Sequence, residues 1–242
     1  MNNILRHIYA VFLKFRSVKG FDPLKEFKGK RIAVIGAADT ALSSEWGVLI
    51  NNLDLVIRVN KAPHSWNPDM EKNIGKKTDI LYHSFFENLE SGGGAIDQDL
   101  YSKFGIKKIV NPNNNSLGQK AHLNFYKRHK KPIQTFILDQ DISERITNEF
   151  EEGLPTIGFY ALASVLMTQA EEIYISGFSF FKTPYYKGYR DHLLDEKRNK
   201  EHIKKQGLHD PDREFEVFKK LLRNSPAKKI ILDPYLRNIL SA

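Results

Sequence analysis

The chain alternates short apolar runs with longer stretches of helical periodicity. Seven runs have the length and the flanking turn residues of buried strands: 31–35, 55–59, 79–83, 108–110, 134–138, 173–176 and 229–232. Between them the periodicity predicts helices near 40–52, 96–104, 117–129, 142–150, 157–168 and 212–222. This alternation is typical of α/β proteins, whose parallel sheet is covered by helices on both faces. We therefore predict a single Rossmann-like, doubly wound, mostly parallel sheet.

The first 25 residues are predicted to be an amphipathic helix in front of a main domain over 26–242. One helical face carries Ile4, Ile8, Val11, Phe12 and Phe15, while Arg6, Lys14, Arg16 and Lys19 lie elsewhere. The apolar run before Lys14 is too short for a bilayer core of about 30 Å, and no signal-peptide cleavage pattern follows it. Two interpretations stay open: a helix packed on the domain, and a helix lying on an anionic membrane.

Composition narrows the class of protein. Of 242 residues, 41% are hydrophobic and 12% are aromatic, which is enough to build a core. The formal charge of +8 favours anionic partners, and no RRM, KH or zinc-finger signature accompanies it, so we predict no nucleic acid partner. The chain has no cysteine, which excludes thiol catalysis and thiolate zinc sites. We expect a cytoplasmic protein, and membrane binding would place it on the inner face of the cell membrane.

Two turns at predicted strand ends are candidate nucleotide-binding segments. The first is the small-residue turn that begins with Gly36 and Ala37, and it lacks both the GxGxxG and the GxxxxGK[ST] patterns. The second opens the helix near Ile157, where Thr156 is a candidate N-cap and Gly158 permits close backbone approach. Small residues that merely begin a helix are the alternative interpretation for both turns.

His209 is the candidate general base. Asp210 and Pro211 have the sequence of an N-cap and a first helical position, which places His209 just outside a helix N-terminus. The positive end of that helix disfavours imidazolium and favours the neutral ring that a base requires. A solvated surface histidine is the alternative.

The charged stretch 185–207 is long for a connection in a compact domain, so we predict a lid there. Lys187, Arg190 and the run 197–205 would steer or gate an anionic acceptor, or simply form a solvated face.

A family resemblance joins these segments. Residues 31–78 resemble the large sialyl motif of sialyltransferases, with Arg58, Asn60, Ala62, Pro63, Gly75, Lys77 and Thr78 in the family's order. Residues 155–178 are similar to the small sialyl motif of the same family. Tyr185 and Tyr186 resemble the family's tyrosine motif, and His209 and Glu214 have the H-x-x-x-x-E spacing of its last motif. The resemblance extends over about 31–224 and includes bacterial enzymes that add sialic acid to surface oligosaccharides.

The resemblance implies a glycosyltransferase of the glycosyltransferase-A-variant type that takes a CMP-activated acidic sugar, sialic acid or a related ulosonate such as Kdo, and transfers it to a glycan or glycolipid. It implies inversion at the anomeric carbon, with His209 as the general base. Tyr185 and Tyr186 would donate hydrogen bonds to the departing phosphate. A retaining transferase that uses another donor stays open as an alternative. The donor-binding candidates are Gly36, Ala37, Asn60, His83, Thr156, Gly158 and Gly177. We predict no cofactor and no metal, because no His, Asp or Glu cluster has metal-ligand spacing. Glu214 is expected to act structurally, through the first turn of its helix.

Two departures from the family pattern change these expectations. Ala37 stands where sialyltransferases commonly have asparagine, which removes an expected contact to the donor. A catalytically inactive nucleotide- or glycan-binding protein is therefore an alternative. Ile32 and Ala170 stand where animal sialyltransferases have the cysteines that join the two sialyl motifs, and this fits folding in a reducing compartment.

Overall fold

The computed structural model describes residues 2–88, 92–191 and 208–241. The strands are β1 Val18–Phe21, β2 Arg31–Ile35, β3 Leu55–Val59, β4 Ile80–Tyr82, β5 Lys108–Asn111, β6 Thr135–Leu138, β7 Glu172–Ser176 and β8 Ile230–Leu232. The longer helices are α1 Asn3–Ser17, α6 Gln98–Phe104, α7 Ser116–His129, α8 Gln140–Thr147, α9 Ile157–Leu166, α10 Pro211–Arg223 and α11 Pro234–Ser241. The short helices are α2 Pro23–Glu26, α3 Gly47–Asn51, α4 Ala62–Ser65 and α5 Glu71–Ile74, and two 3-10 turns span Asp39–Ser43 and Pro68–Met70.

Within the described residues, eight parallel strands form one sheet in the order β1-β6-β5-β4-β3-β2-β7-β8. From β2 the chain proceeds through β3 and β4 in one direction and later returns to add β7 and β8 on the other side. The strand order therefore reverses between β2 and β7, and a crevice at such a reversal is where open α/β sheets bind ligands. The predicted fold class is confirmed, and the sheet is entirely parallel rather than mostly so.

The core forms on both faces of the sheet. Helix α9 is buried at every position except Gly158 and packs against β2, β3, β4 and β7. It joins the largest apolar cluster, which also contains Phe218 of α10 and Leu236 of α11. Burial on nearly all sides explains why α9 is apolar all round rather than amphipathic. The position of α9 fixes its N-terminus at the carboxyl edge of the sheet.

The predicted helix over 40–52 is divided in the structure. Residues Asp39–Ser43 form a 3-10 turn and α3 begins only at Gly47. The side-chain amide of Asn73 donates to the carbonyl oxygens of Leu42 and Ser44, and Trp46 N–H donates to the carbonyl of Asn73. Because these backbone groups bond to Asn73, they are not available for a continuous helical ladder.

The N-terminal segment is a helix followed by a strand. Helix α1 lies within the first 25 residues, where the periodicity predicts a helix, but it ends at Ser17. Strand β1 follows it, was not predicted, and pairs with β6 at the sheet edge. Within the described residues, no helix is long and apolar enough to cross a membrane. The first part of the predicted lid, 185–191, is ordered against the turn after β2 through an isolated bridge between Ala38 and Tyr185. The rest of the predicted lid, including the charged run 197–205, lies outside the described residues.

Candidate active site

A cavity of about 280 Å³ opens at the carboxyl edge of the sheet, where β2, β3 and β7 end. Eight of the ten predicted site residues line it: Gly36, Ala37, Asn60, Thr156, Gly158, Gly177, Tyr185 and His209. The cavity therefore joins the two candidate turns and the candidate base, although they are far apart in sequence.

The turns after β2 and β7 are in direct backbone contact. Gly36 N–H donates to the carbonyl of Ser176, and Ala38 N–H donates to that of Gly177. A Cβ at Gly36 would lie 2.1 Å from the carbonyl oxygen of Gly177, and Gly177 itself has φ +77°. These glycines are thus required by the contact between the two turns, which draws both turns together at the floor of the cavity.

Asn60 follows β3 and presents its side chain at the cavity. Its φ of +50° places the residue in the left-handed region, which asparagine tolerates better than most residues. Its Oδ1 accepts a hydrogen bond from Ser84 N–H at 3.1 Å, and this bond fixes the orientation of the side-chain amide. A Cβ at Gly92 in the cavity wall would meet both Asn60 Nδ2 and Arg190 Nη2, so these two donors lie side by side there.

The start of α9 is held by two side chains. Thr156 is the N-cap, with its Oγ1 accepting from Phe159 N–H at 3.0 Å, as predicted. Glu214 of α10 accepts from Thr156 N–H at 2.6 Å and from Thr156 Oγ1 at 3.1 Å. With the H-x-x-x-x-E spacing, one short segment thus supplies both His209, which lines the cavity, and Glu214, which bonds to Thr156 at the start of α9. Burial outweighs these hydrogen bonds and raises the pKa of Glu214 to about 8.

His209 precedes α10, whose N-cap is Asp210, as predicted. Its Nδ1 lies 2.6 Å from the carbonyl oxygen of Leu154. A carbonyl can only accept, so Nδ1 carries the proton and Nε2 is the unprotonated nitrogen of the neutral ring. Burial lowers the pKa of His209, the bond to Leu154 raises it, and the charge of Arg190 lowers it further, with a net shift downward.

An aromatic and cationic group forms another wall. The rings of Tyr185 and Tyr189 lie 5.1 Å apart, and the Arg190 guanidinium lies 5.8 Å from the centre of the Tyr185 ring. All three residues line the cavity. Burial raises the pKa of both tyrosines, so both phenols keep their protons and can act as hydrogen-bond donors at neutral pH.

Two predicted site residues lie outside the cavity. The hydroxyl of Tyr186 accepts from Ser65 Oγ at 3.3 Å, and its ring belongs to a buried apolar cluster. His83 is fully buried, with Nε2 donating to the Gly93 carbonyl at 2.8 Å and Nδ1 accepting from Phe85 N–H at 2.9 Å. Both ring nitrogens of His83 are therefore occupied by the protein backbone, which makes its placement structural rather than donor-facing.

The family model for glycosyltransferase family 29 (sialyltransferase) matches residues 1–225. The chain belongs to this family. Its fold is also that of solved sialyltransferases. A mammalian sialyltransferase is 18% identical with a TM-score of 0.57, and the match covers 92% of this chain and 78% of that one. An α-2,3-sialyltransferase from Campylobacter jejuni in apo form is 16% identical with a TM-score of 0.54, covering 91% and 82%.

A variant of the sialyltransferase CST-II in complex with CMP is 16% identical with a TM-score of 0.51, covering 86% of this chain and 87% of that one. No curated protein sequence matches the chain. The family match makes the protein a glycosyltransferase of the sialyltransferase family, and the structural likenesses show the shared fold.

The large sialyl motif of this glycosyltransferase has a structural explanation. Arg58 is buried and donates from Nε to Thr78 Oγ1 at 3.0 Å and from Nη2 to the carbonyls of Ile74 and Gly75. Lys77 donates to the carbonyl of Leu53. The motif residues thus bind one another, and they hold the end of β3 that carries Asn60.

Sequence reasoning missed Tyr189 as a cavity residue and Asp233 as a support. Tyr189 is the third tyrosine of the same short loop, so its residue type was the available signal. Asp233 is buried beside β8 and accepts from Gly177 N–H at 2.9 Å. It carries no local signal, because its partner is 56 residues away. Across the described parts of the chain, no group of three or more His, Asp or Glu side chains could hold a metal ion.

Proposed function

We propose that this family 29 glycosyltransferase transfers an acidic sugar, sialic acid or a related ulosonate such as Kdo, from a CMP-activated donor to a cell-surface glycan or glycolipid. The CMP complex of CST-II and a mammalian sialyltransferase structure in complex with Gal-beta-1-3GalNAc-ortho-nitrophenol support a nucleotide donor and a glycan acceptor. The observation that carries the proposal is the His209 ring in the cavity wall, with its Nδ1 proton on the Leu154 carbonyl.

His209 acts as the general base in this proposal. The neutral ring has an unprotonated Nε2, which takes the proton of the acceptor hydroxyl as that oxygen attacks the anomeric carbon. The lowered pKa keeps the ring neutral at physiological pH, and the Leu154 bond stabilises the imidazolium once the proton has arrived. Attack from the side opposite to the nucleotide would invert the anomeric centre.

The departing CMP phosphate is stabilised by other groups that line the cavity. Tyr185 offers a phenolic O–H and Arg190 a permanent charge, while the first N–H groups of α9 present the positive end of a helix. Tyr189 takes the second phenol role that the sequence assigned to Tyr186, because Tyr189 lines the cavity and Tyr186 bonds to Ser65. Asn60 Nδ2 adds an amide donor beside Arg190.

The backbone of the two glycine turns and the side chain of Thr156 complete the donor site. Ala37 lines the cavity with a methyl group in place of an amide, and the side-chain amides that line it belong to Asn60 and Asn113. Metal independence is part of the proposal, because the single phosphate of the donor is met by Arg190, phenols and helix N–H groups.

The test is CMP release by the purified chain from CMP-sialic acid and from CMP-Kdo, in EDTA, with and without glycan acceptors. We expect acceptor-dependent release from one donor. Replacing His209 with Ala should lower kcat by about 10²- to 10⁴-fold and leave CMP affinity nearly unchanged. His7→Ala, an exposed histidine on α1, is the matched control and should retain full activity.

Other outcomes separate the alternatives. CMP binding without release from any donor would identify a nucleotide-binding protein that lost the donor contact at Ala37. Release that H209A leaves intact would remove His209 from the mechanism, and release that stops in EDTA would contradict metal independence.

A further inference from the structure

Helix α1 is fixed to the domain by one of its faces. Ala10, Leu13 and Ser17 are buried, and they pack toward α7. At the two ends of this contact, Arg6 donates to the carbonyl of Lys127 and Lys14 donates to the carbonyl of Gln119. The first interpretation from the sequence, a helix packed on the domain, therefore describes this face.

The opposite face of α1 is apolar and exposed. It consists of Ile4, Leu5, Ile8, Val11, Phe12 and Phe15, which we call the outer face. Phe15 is 89% exposed and Ile4 is 66% exposed. At 100° per residue these positions fall on one continuous arc that points away from α7. A contiguous apolar surface of this kind marks an interaction site, whereas scattered exposed side chains do not.

The charges around the outer face all have one sign. Residues 1–21 include Arg6, Lys14, Arg16 and Lys19 and no acidic residue. Arg16 and Lys19 are exposed at the end of α1 and in β1. The neighbouring helix α7 has no acidic residue either, and at its end Arg128 and His129 are paired with Glu87. The charges that α1 and β1 carry beside the outer face are therefore all positive.

We propose that the outer face binds an anionic lipid surface. The apolar side chains enter the boundary between headgroups and acyl chains, and Arg16 and Lys19 lie over the anionic headgroups. A second copy of the chain fits this face less well, because a two-fold contact would bring the same basic residues against one another with no acidic residue on α1 or α7 to pair with them. Since α1 is bonded to α7, lipid binding fixes the orientation of the cavity relative to the membrane.

The test is flotation of the full chain with vesicles of phosphatidylcholine alone and of phosphatidylcholine mixed with phosphatidylglycerol. We expect binding to the mixed vesicles. The double substitution Phe12→Ser with Phe15→Ser should lower it at least tenfold, since two exposed aromatic side chains are removed from the contact. The control is Val48→Ser, which changes a side chain that is 77% exposed but lies outside α1. It should leave binding unchanged.

A charge variant tests the electrostatic half of the proposal. Arg16→Gln with Lys19→Gln should weaken binding to the mixed vesicles by roughly fivefold per charge, and the remaining binding should depend less on salt. Circular dichroism confirms that each variant is folded. No binding to the mixed vesicles, or binding that the phenylalanine substitutions leave unchanged, would overturn the proposal. So would a vesicle-free dimer, seen by sedimentation equilibrium, that the phenylalanine substitutions dissociate, because a second copy would then cover the face.

Discussion

Two titratable side chains flank the Asp210–Pro211 start of α10, and burial acts on both. It lowers the pKa of His209 and raises that of Glu214 to about 8, so each environment favours the neutral form. The raised pKa of Glu214 helps to keep His209 neutral, because an ionised carboxylate in the same cavity wall would stabilise an imidazolium. A protonated Glu214 leaves Arg190 as the charge that acts on His209, and that charge favours the neutral imidazole ring.

Glu214 makes the stability of the fold depend on pH. The folded pKa of about 8 lies above the ordinary glutamate value of 4.5, so protonation favours the folded state. This contribution is complete below pH 4.5 and is lost as the pH rises through about 8. Relative to Glu214→Gln, which has no titration there, the wild type should lose on the order of a few kcal/mol in free energy of unfolding between pH 4.5 and pH 8. Urea unfolding at a series of pH values measures this difference.

The matched control for this experiment is Glu216→Gln on the same helix, an exposed carboxylate paired with Lys219. Its stability should follow that of the wild type at every pH. A wild type that instead gains stability relative to Glu214→Gln as the pH rises would show that the two Thr156 hydrogen bonds outweigh burial and hold Glu214 ionised.

At the level of elements, the contact between the turns after β2 and β7 determines the floor of the cavity. Gly36→Ala would place a Cβ 2.1 Å from the Gly177 carbonyl oxygen, so one of the two turns must move. We expect a loss of about 1–3 kcal/mol in the free energy of unfolding, together with weaker CMP binding. Denaturant unfolding and calorimetric titration with CMP measure the two effects.

Gly20→Ala is the control for the glycine substitution, because a Cβ at Gly20 of β1 meets nothing within 4 Å. Its free energy of unfolding should change by no more than about 0.5 kcal/mol. Equal stability of Gly36→Ala and Gly20→Ala would mean that the turns separate without cost, and the floor of the cavity would then not depend on this contact.

The elements show which parts of the molecule a sequence can predict. The seven predicted strands are all present, because most strands of a covered parallel sheet are buried apolar runs whatever their neighbours. Strand β8 is only partly buried, but it too is an apolar run. Strand β1 was missed because Lys19 and Gly20 interrupt it and its partner β6 is more than a hundred residues away. The prediction of one continuous helix over 40–52 was wrong, because the side-chain amide of Asn73, which is distant in sequence, donates hydrogen bonds to two backbone carbonyls of this stretch.

In the candidate site, too, features set by the local sequence could be predicted and features set by tertiary contacts could not. Strand-end residues such as Asn60 and helix-start residues such as Thr156 could be placed from the sequence, since the carboxyl ends of parallel strands meet at one edge. Which tyrosine of the 185–189 loop enters the cavity could not, because adjacent side chains point in different directions and only tertiary contacts decide between them. Tyr186 packs beside Ser65, whereas Tyr185 and Tyr189 line the cavity.

At the scale of the whole molecule, the cavity belongs to a strongly basic chain. The cavity lies at the reversal of strand order, and its wall contains Arg190 and the N-terminus of α9. The formal charge of the chain is +8. An anionic sugar nucleotide therefore experiences attraction over a longer range than the contacts in the cavity provide.

This attraction predicts how catalysis responds to salt. The Debye length falls from about 30 Å at 0.01 M to about 10 Å at 0.1 M ionic strength, so added salt screens the field of the distant lysines and arginines before it affects contacts inside the cavity. We expect kcat/KM for the CMP-sugar donor to fall several-fold over this range, while kcat at saturating donor stays nearly constant. Steady-state kinetics in a series of NaCl concentrations measure both quantities. A value of kcat/KM that is independent of salt would show that the net charge does not steer the donor, and a parallel fall in kcat would place the salt effect in the bound complex at His209 or Arg190 instead.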